Sequence, residues 1–203
     1  MESTIALAGF AAGCLHVLVG PDHLAAVAPF ACASDESAPR PWRTGLRWGV
    51  GHSLGVAAVG LAALLFRDLL PLEALSYWSE RAVGIVLVGI GTWGLFQLAG
   101  RAQPATQRGH AALSVGVLHG FAGSSHLFGV LPALAFETRL GGLTWLASFA
   151  AGTMLAMAGF SASVGGLAQR LHGSAARLLL GGSSTAAVAT GLWWLLRPLP
   201  PAL

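Results

Sequence analysis

Three residues in the first apolar stretch carry chemistry out of keeping with their surroundings: His16, Asp22 and His23, in the run His16-Val-Leu-Val-Gly-Pro-Asp22-His23-Leu24. Ionisable side chains at hydrocarbon depth are costly and usually functional. On an unbroken helix His16 and His23 share a face but stand two turns, roughly 10 Å, apart. That is too far to hold one ion whose bonds to nitrogen are about 2 Å. Gly20-Pro21 falls between them, and proline removes an amide donor and clashes with the preceding turn, so a kink that closes the gap is expected there. Asp22 then sits beside His23 at the start of the second half-helix. There the helix dipole favours a carboxylate, and the carboxylate lowers the positive charge of a bound divalent cation. His52, about four residues inside the second apolar stretch, falls at the level expected for His23. Imidazoles with a carboxylate suit nickel, cobalt, zinc or copper(II) better than calcium or magnesium, which prefer all-oxygen shells.

A lone histidine in a membrane helix often does no more than bond a neighbouring carbonyl, but His16, Asp22 and His23 together in one short run weigh against that reading. His110 and His172 fall at loop or interface positions and read as solvated. Cys14 and Cys32 lack CxxC spacing and read as small packing residues, and Met154 and Met157 share a helical face as packing.

The run is duplicated. Gly13-Cys-Leu-His16-Val-Leu-Val-Gly20-Pro-Asp-His23-Leu-Ala-Ala-Val-Ala-Pro29 realigns with Gly116-Val-Leu-His119-Gly-Phe-Ala-Gly123-Ser-Ser-His126-Leu-Phe-Gly-Val-Leu-Pro132, eight shared positions at a constant offset of 103 residues. Two of the eight are histidines and one is proline, so apolar bias does not account for the match. A fainter likeness joins Gly51-His52-Ser53-Leu54 to Gly152-Thr153-Met154-Leu155. His119 and His126 therefore occupy the positions of His16 and His23, while Ser125 replaces Asp22 and Thr153 lies near the place of His52. This asymmetry puts the main site in the first repeat and a weaker pathway contribution in the second.

The elements that must position these residues are membrane helices. Hydrophobic residues make up 55% of the 203 and charged residues only 9%, far from the roughly one quarter charged that soluble domains carry. Six segments approach the about 20 apolar residues of a span: Ile5 to Cys32, Trp48 to Phe66, Ala82 to Gly100, Ala111 to Phe136, Gly141 to Ala168, and Leu178 to Leu196. The first, fourth and fifth are overlong, as a break or tilt would allow. The expected fold is all-α: a single membrane domain over residues 1–203, built from two three-helix repeats, about 4–100 and 107–198, each with an interrupted first helix. An odd number of spans per repeat inserts the second repeat from the opposite side, the inverted-repeat plan of many secondary transporters, whose substrate sites lie near the midplane on broken helices.

The eleven basic residues are all arginine. They lie between apolar runs, which speaks for topology and against a nucleic-acid surface. Arg40, Arg43, Arg47, Arg101, Arg108, Arg170 and Arg177 fall in alternate loops against Arg67, Arg81, Arg139 and Arg197, an excess that puts both termini outside. Met1-Glu2-Ser3-Thr4 has no positive n-region, so the first stretch reads as a mature helix. Trp42, Trp48, Trp78, Trp145, Trp193 and Trp194 sit near the proposed ends as interfacial anchors. The stretch from Asp68 to Trp78 reads as a short amphipathic segment on the outer surface or a plain loop.

These residues resemble the nickel/cobalt permeases, particularly the shorter UreH-like (urease accessory) and NicO-related branch. The likeness rests on His16-Val-Leu-Val-Gly-Pro-Asp22-His23-Leu, on Trp48-Gly-Val-Gly-His52, and on His119-Gly followed by Val130-Leu-Pro-Ala-Leu-Ala135. Better-known members place four residues between the first histidine and Asp-His, where this chain has five and no second aspartate. The resemblance implies metal binding by His16, Asp22, His23 and His52, with nickel or cobalt as the transported substrate and no fixed cofactor.

The expected partners are the lipid bilayer and the divalent ion, with no nucleic acid. The expected location is a bacterial-type inner membrane. A homo-oligomer or a metalloenzyme-maturation partner stays open. No GxxxxGK[ST] phosphate loop is present to couple ATP hydrolysis, and no HExxH motif suggests an enzyme. The alternatives are an intramembrane metal- or haem-binding protein and a metal-donating accessory subunit.

Overall fold

A computed structural model describes residues 2–33, 40–65, 72–100, 105–121 and 127–197. Among the described residues the chain is all-helical: α1 Glu2–Val19, α2 Pro21–Cys32, α3 Trp42–Leu65, α4 Leu72–Leu98, α5 Ala105–Phe121, α6 Leu127–Ala135, α7 Arg139–Arg170 and α8 Ser174–Leu196. Among the described residues, four helical segments are long and apolar enough to cross a membrane: Glu2–Val19, Glu80–Leu98, Arg139–Arg170 and Ser174–Leu196. The helix α3 has the length, 24 residues, but carries Arg43 and Arg47 in its first two turns. Apolar side chains face outward all around: Leu7, Val19, Leu61, Ile85, Leu178 and Leu196 are each more than half exposed. That is the pattern of a helical protein solvated by lipid.

The first apolar stretch is divided. The helix α1 stops at Val19, Gly20 adopts an extended conformation (φ −84°, ψ 100°), and Pro21 opens α2. Proline suits this first position because its missing N–H would be unsatisfied there in any case. The amides of His23 and Leu24 both turn back to the Gly20 carbonyl, at 3.1 and 3.4 Å. Once separated, α2 is buried along most of its length, from His23 to Cys32 with only Leu24 partly exposed. It is the inner element against which α7 and α8 pack.

Glycine sets the helix crossings, because with no Cβ it lets backbones approach closely. These contacts recur between the two halves. A Cβ on Gly13 of α1 would meet Phe149 O of α7 and lie 3.0 Å from Thr153 N, and one on Gly116 of α5 would meet Trp48 O of α3 and lie 3.0 Å from His52 N. Reciprocally, Gly152 of α7 abuts Phe10 O and Cys14 N, while Gly51 of α3 abuts Leu113 O and Val117 N. Gly91 of α4 faces Ser184 O and Val188 of α8, and Gly191 of α8 faces Gly84 O and Val88 of α4. The equivalences run at shifts of 103 residues for α1 and α5, 101 for α3 and α7, and 100 for α4 and α8.

Several polar groups inside the bundle find acceptors, as an apolar surround favours. Ser161 donates to Pro41 O at 2.6 Å, Ser184 to Leu180 O at 2.6 Å, and Cys14 Sγ to Gly152 O at 3.4 Å. At one end, Arg81 donates to Arg197 O at 2.9 Å and the Arg197 guanidinium pairs with Glu80 at 3.5 Å.

Two expectations change. From Leu72 onward the segment read as a surface stretch or loop is the continuous beginning of α4, since no glycine or proline interrupts Leu72 to Arg81; residues 68–71 lie outside the described residues. Trp48 is not an interfacial anchor but wholly buried. The helix α3 begins at Trp42 rather than Trp48, which carries the indole nearly two turns inward.

Candidate metal centre

Four elements deliver the cluster. The last turn of α1 gives His16, the first turn of α2 gives Asp22 and His23, the middle of α3 gives Trp48 and His52, and the end of α5 gives His119. The break at Gly20 closes the distance that a continuous helix would have kept. The His16 and His23 rings stand 4.5 Å apart between centroids. Gly20 is required here by space: a Cβ would run into His23 Nδ1 and lie 3.1 Å from Asp22 Oδ1.

His52 completes a triangle, 5.1 Å from His23 and 5.6 Å from His16 between ring centroids. His119, expected to make a weaker pathway contribution from the second repeat, joins the same cluster, its ring 4.8 Å from that of His23. It is brought there by the α3–α5 crossing, where a Cβ on the adjacent Gly120 would meet His52 O. His126 and Gly123-Ser124-Ser125 lie outside the described residues. Thr153, near the place of His52 in the other half, is buried and donates to Gly13 O at 3.5 Å.

The carboxylate of Asp22 bridges two rings, with Oδ1 3.1 Å from His23 Nδ1 and Oδ2 3.1 Å from His119 Nε2. It retains 13% exposure, whereas the His23 and His119 side chains retain 2% each. Two groups of donor atoms lie within 4.8 Å of one another: His16, His23 and His52, and Asp22, His23 and His119. Nitrogen and carboxylate oxygen are the donor types that transition metals take, and groups so spaced could hold a metal ion. His23 Nε2 and His119 Nδ1 are buried with no hydrogen-bond partner among the described residues. Buried polar atoms are rarely left so without a reason such as a ligand.

Trp48 was missed as a member of this site. Its indole stacks on His52 (4.9 Å, 8° between planes) and lies 5.6 Å from His23 and 5.3 Å from His119. The spacing Trp48-x3-His52 puts the two side chains on one helical face, which was the available signal. A cavity of about 250 Å³ includes His52 in its lining, with Val56 and Gly60 of α3, Val130 of α6, and Phe149 of α7.

The chain is 36% identical over 222 residues to chloroplast protein FOR GROWTH AND FERTILITY 1 of Arabidopsis thaliana, covering 96% of this chain and 60% of that protein. It is 35% identical to chloroplast protein FOR GROWTH AND FERTILITY 2 of the same plant, covering 93% of this chain and 55% of that protein. Against urease accessory protein UreH of Bacillus sp. (strain TB-90), identity is 29% over 77% of this chain and 74% of that protein. None of the three is named as an enzyme. No protein-family model and no solved structure matches the chain. The chain is thus similar over nearly its whole length to plant chloroplast proteins of which it spans little more than half, and is a distant homologue of a bacterial urease accessory protein.

Proposed function

We propose that this protein is a secondary permease for a divalent transition-metal ion, nickel or cobalt, which it passes through the buried histidine/aspartate cluster. The observation that carries the reading is the meeting of four imidazoles and a carboxylate at the Gly20 break. Irregular backbone and ionisable groups at membrane depth persist where they line an ion's route. The glycine contacts repeated between the halves support two inverted three-helix repeats around that site, an architecture suited to alternating access. His16, Asp22, His23, His52 and His119 form the route in this reading, and His126 extends it from the second repeat. Both termini lie outside, in a bacterial-type inner membrane; the chloroplast relatives argue against restricting the architecture to that membrane.

Reconstituted into liposomes loaded with a metal-sensitive dye, the chain is expected to admit Ni²⁺ or Co²⁺, and His23→Ala is expected to abolish the signal. Uptake unchanged by His23→Ala would sink the proposal. The name of the bacterial relative favours a second reading, a subunit that hands metal to a metalloenzyme under assembly. In that case the purified chain binds the ion but moves none across the liposome.

A further inference from the structure

We propose that Asp22 is a positioning residue and not a ligand, and that the three imidazoles of His16, His23 and His52 form the inner shell around the ion. This rests on the metal-transport reading above. Each Asp22 oxygen already faces a ring nitrogen, His23 Nδ1 on one side and His119 Nε2 on the other, both at 3.1 Å. An ionised carboxylate only accepts hydrogen bonds, so both of those nitrogens carry hydrogen. A neutral imidazole with hydrogen on Nδ1 has its lone pair on Nε2, and His23 Nε2, like His119 Nδ1, is buried without a hydrogen-bond partner among the described residues.

His16 and His52 each offer a donor atom that lies with one of His23's inside 4.8 Å. Nitrogens on a tetrahedral ion at about 2.0–2.1 Å stand roughly 3.4 Å apart, so the rings must draw closer together to close on the ion. In the other grouping, Asp22 with His23 and His119, each Asp22 oxygen already faces a nitrogen of one of the rings that it would join on the ion. Of the two groups, the imidazole set has a member, His52, in the lining of the cavity beside the cluster. Carboxylate, histidine and metal in series is a recurring arrangement, in which the carboxylate fixes the tautomer and raises the basicity of the ligand. Here the same carboxylate also ties α2 to α5 through His119.

The test is titration of the purified full-length protein with Co²⁺, read by its visible absorption. Asp22→Asn is expected to bind about 10- to 100-fold more weakly but, at saturation, to show the band positions and intensity of the parent. Asp22→Glu, which keeps an acceptor, is expected to recover part of the affinity. His23→Ala is expected to lose the spectrum. A saturated Asp22→Asn spectrum with shifted bands or altered intensity overturns the proposal, because the carboxylate is then in the shell. If Asp22→Asn does not purify as a single species, His119→Gln takes its place. An unchanged spectrum supports the imidazole set, and a changed one puts the ion in the Asp22–His23–His119 set. A parent protein that takes up no Co²⁺ overturns the transport reading itself, a failure distinct from a cobalt complex with Asp22 in its shell.

Discussion

The helices α3 and α7 occupy equivalent places in the two halves and carry different chemistry. Each receives a glycine of a facing helix at the same two backbone groups: Gly116 meets Trp48 and His52 of α3, and Gly13 meets Phe149 and Thr153 of α7. The backbone geometry is shared. At those positions α3 presents an indole stacked on an imidazole, while α7 presents a phenyl ring and a hydroxyl bound to Gly13 O. Scaffold and chemistry are therefore separable. Close helix approach depends on the absence of a Cβ, which both halves keep, and ligation depends on side-chain type, which one half has kept or acquired.

Exchanging function between the two helices gives the largest contrast. His52→Ala is expected to abolish Co²⁺ retention by removing an inner imidazole, whereas Thr153→Val, which removes only a 3.5 Å hydrogen bond, should leave it within about threefold, the range set by a marginal hydrogen bond. Equilibrium dialysis of the two variants decides it, and equal losses would mean that the halves contribute alike.

The shared scaffold predicts the opposite pattern for the glycines. Gly13→Ala and Gly116→Ala each place a methyl group against a backbone carbonyl and should destabilise by similar amounts, about 1–3 kcal/mol, as overpacking does. Unfolding in mixed detergent would measure both, and a difference well outside that range would break the equivalence of the two crossings.

A smaller effect is expected at the aromatic partners. Trp48→Leu removes the ring stacked on His52 and should weaken Co²⁺ retention about two- to tenfold, the worth of an aromatic pair. Phe149→Leu, whose ring lies 5.4 Å from His16, should cost less, because it leaves the His52 stack in place.

Much of this was legible in the chain. The apolar runs, the break at Gly20-Pro21 and the duplicated histidine pattern are local features, set by hydropathy, by proline's missing amide and by residue order. The residue-by-residue register between α4 and α8, the third helices of the two expected repeats, was not legible. Gly91 and Gly191 match only through what they touch, Val188 and Val88 on the facing helix, and glycine is too common here for spacing alone to signal it. Trp48 was misplaced for a related reason, since hydropathy locates a helix end only loosely and an indole serves an interface or a core equally well.

Sequence by itself determined that His16 and His23 flank a break and that an aspartate stands beside one of them, because those are facts of order along a helix. Only the tertiary structure decided that His119 shares Asp22 with His23 and that His52 faces both His16 and His23. The direction taken by a chain after an extended Gly20, and the rotation of α3 and α5 about their own axes, are set by packing between helices, which no single stretch of residues encodes.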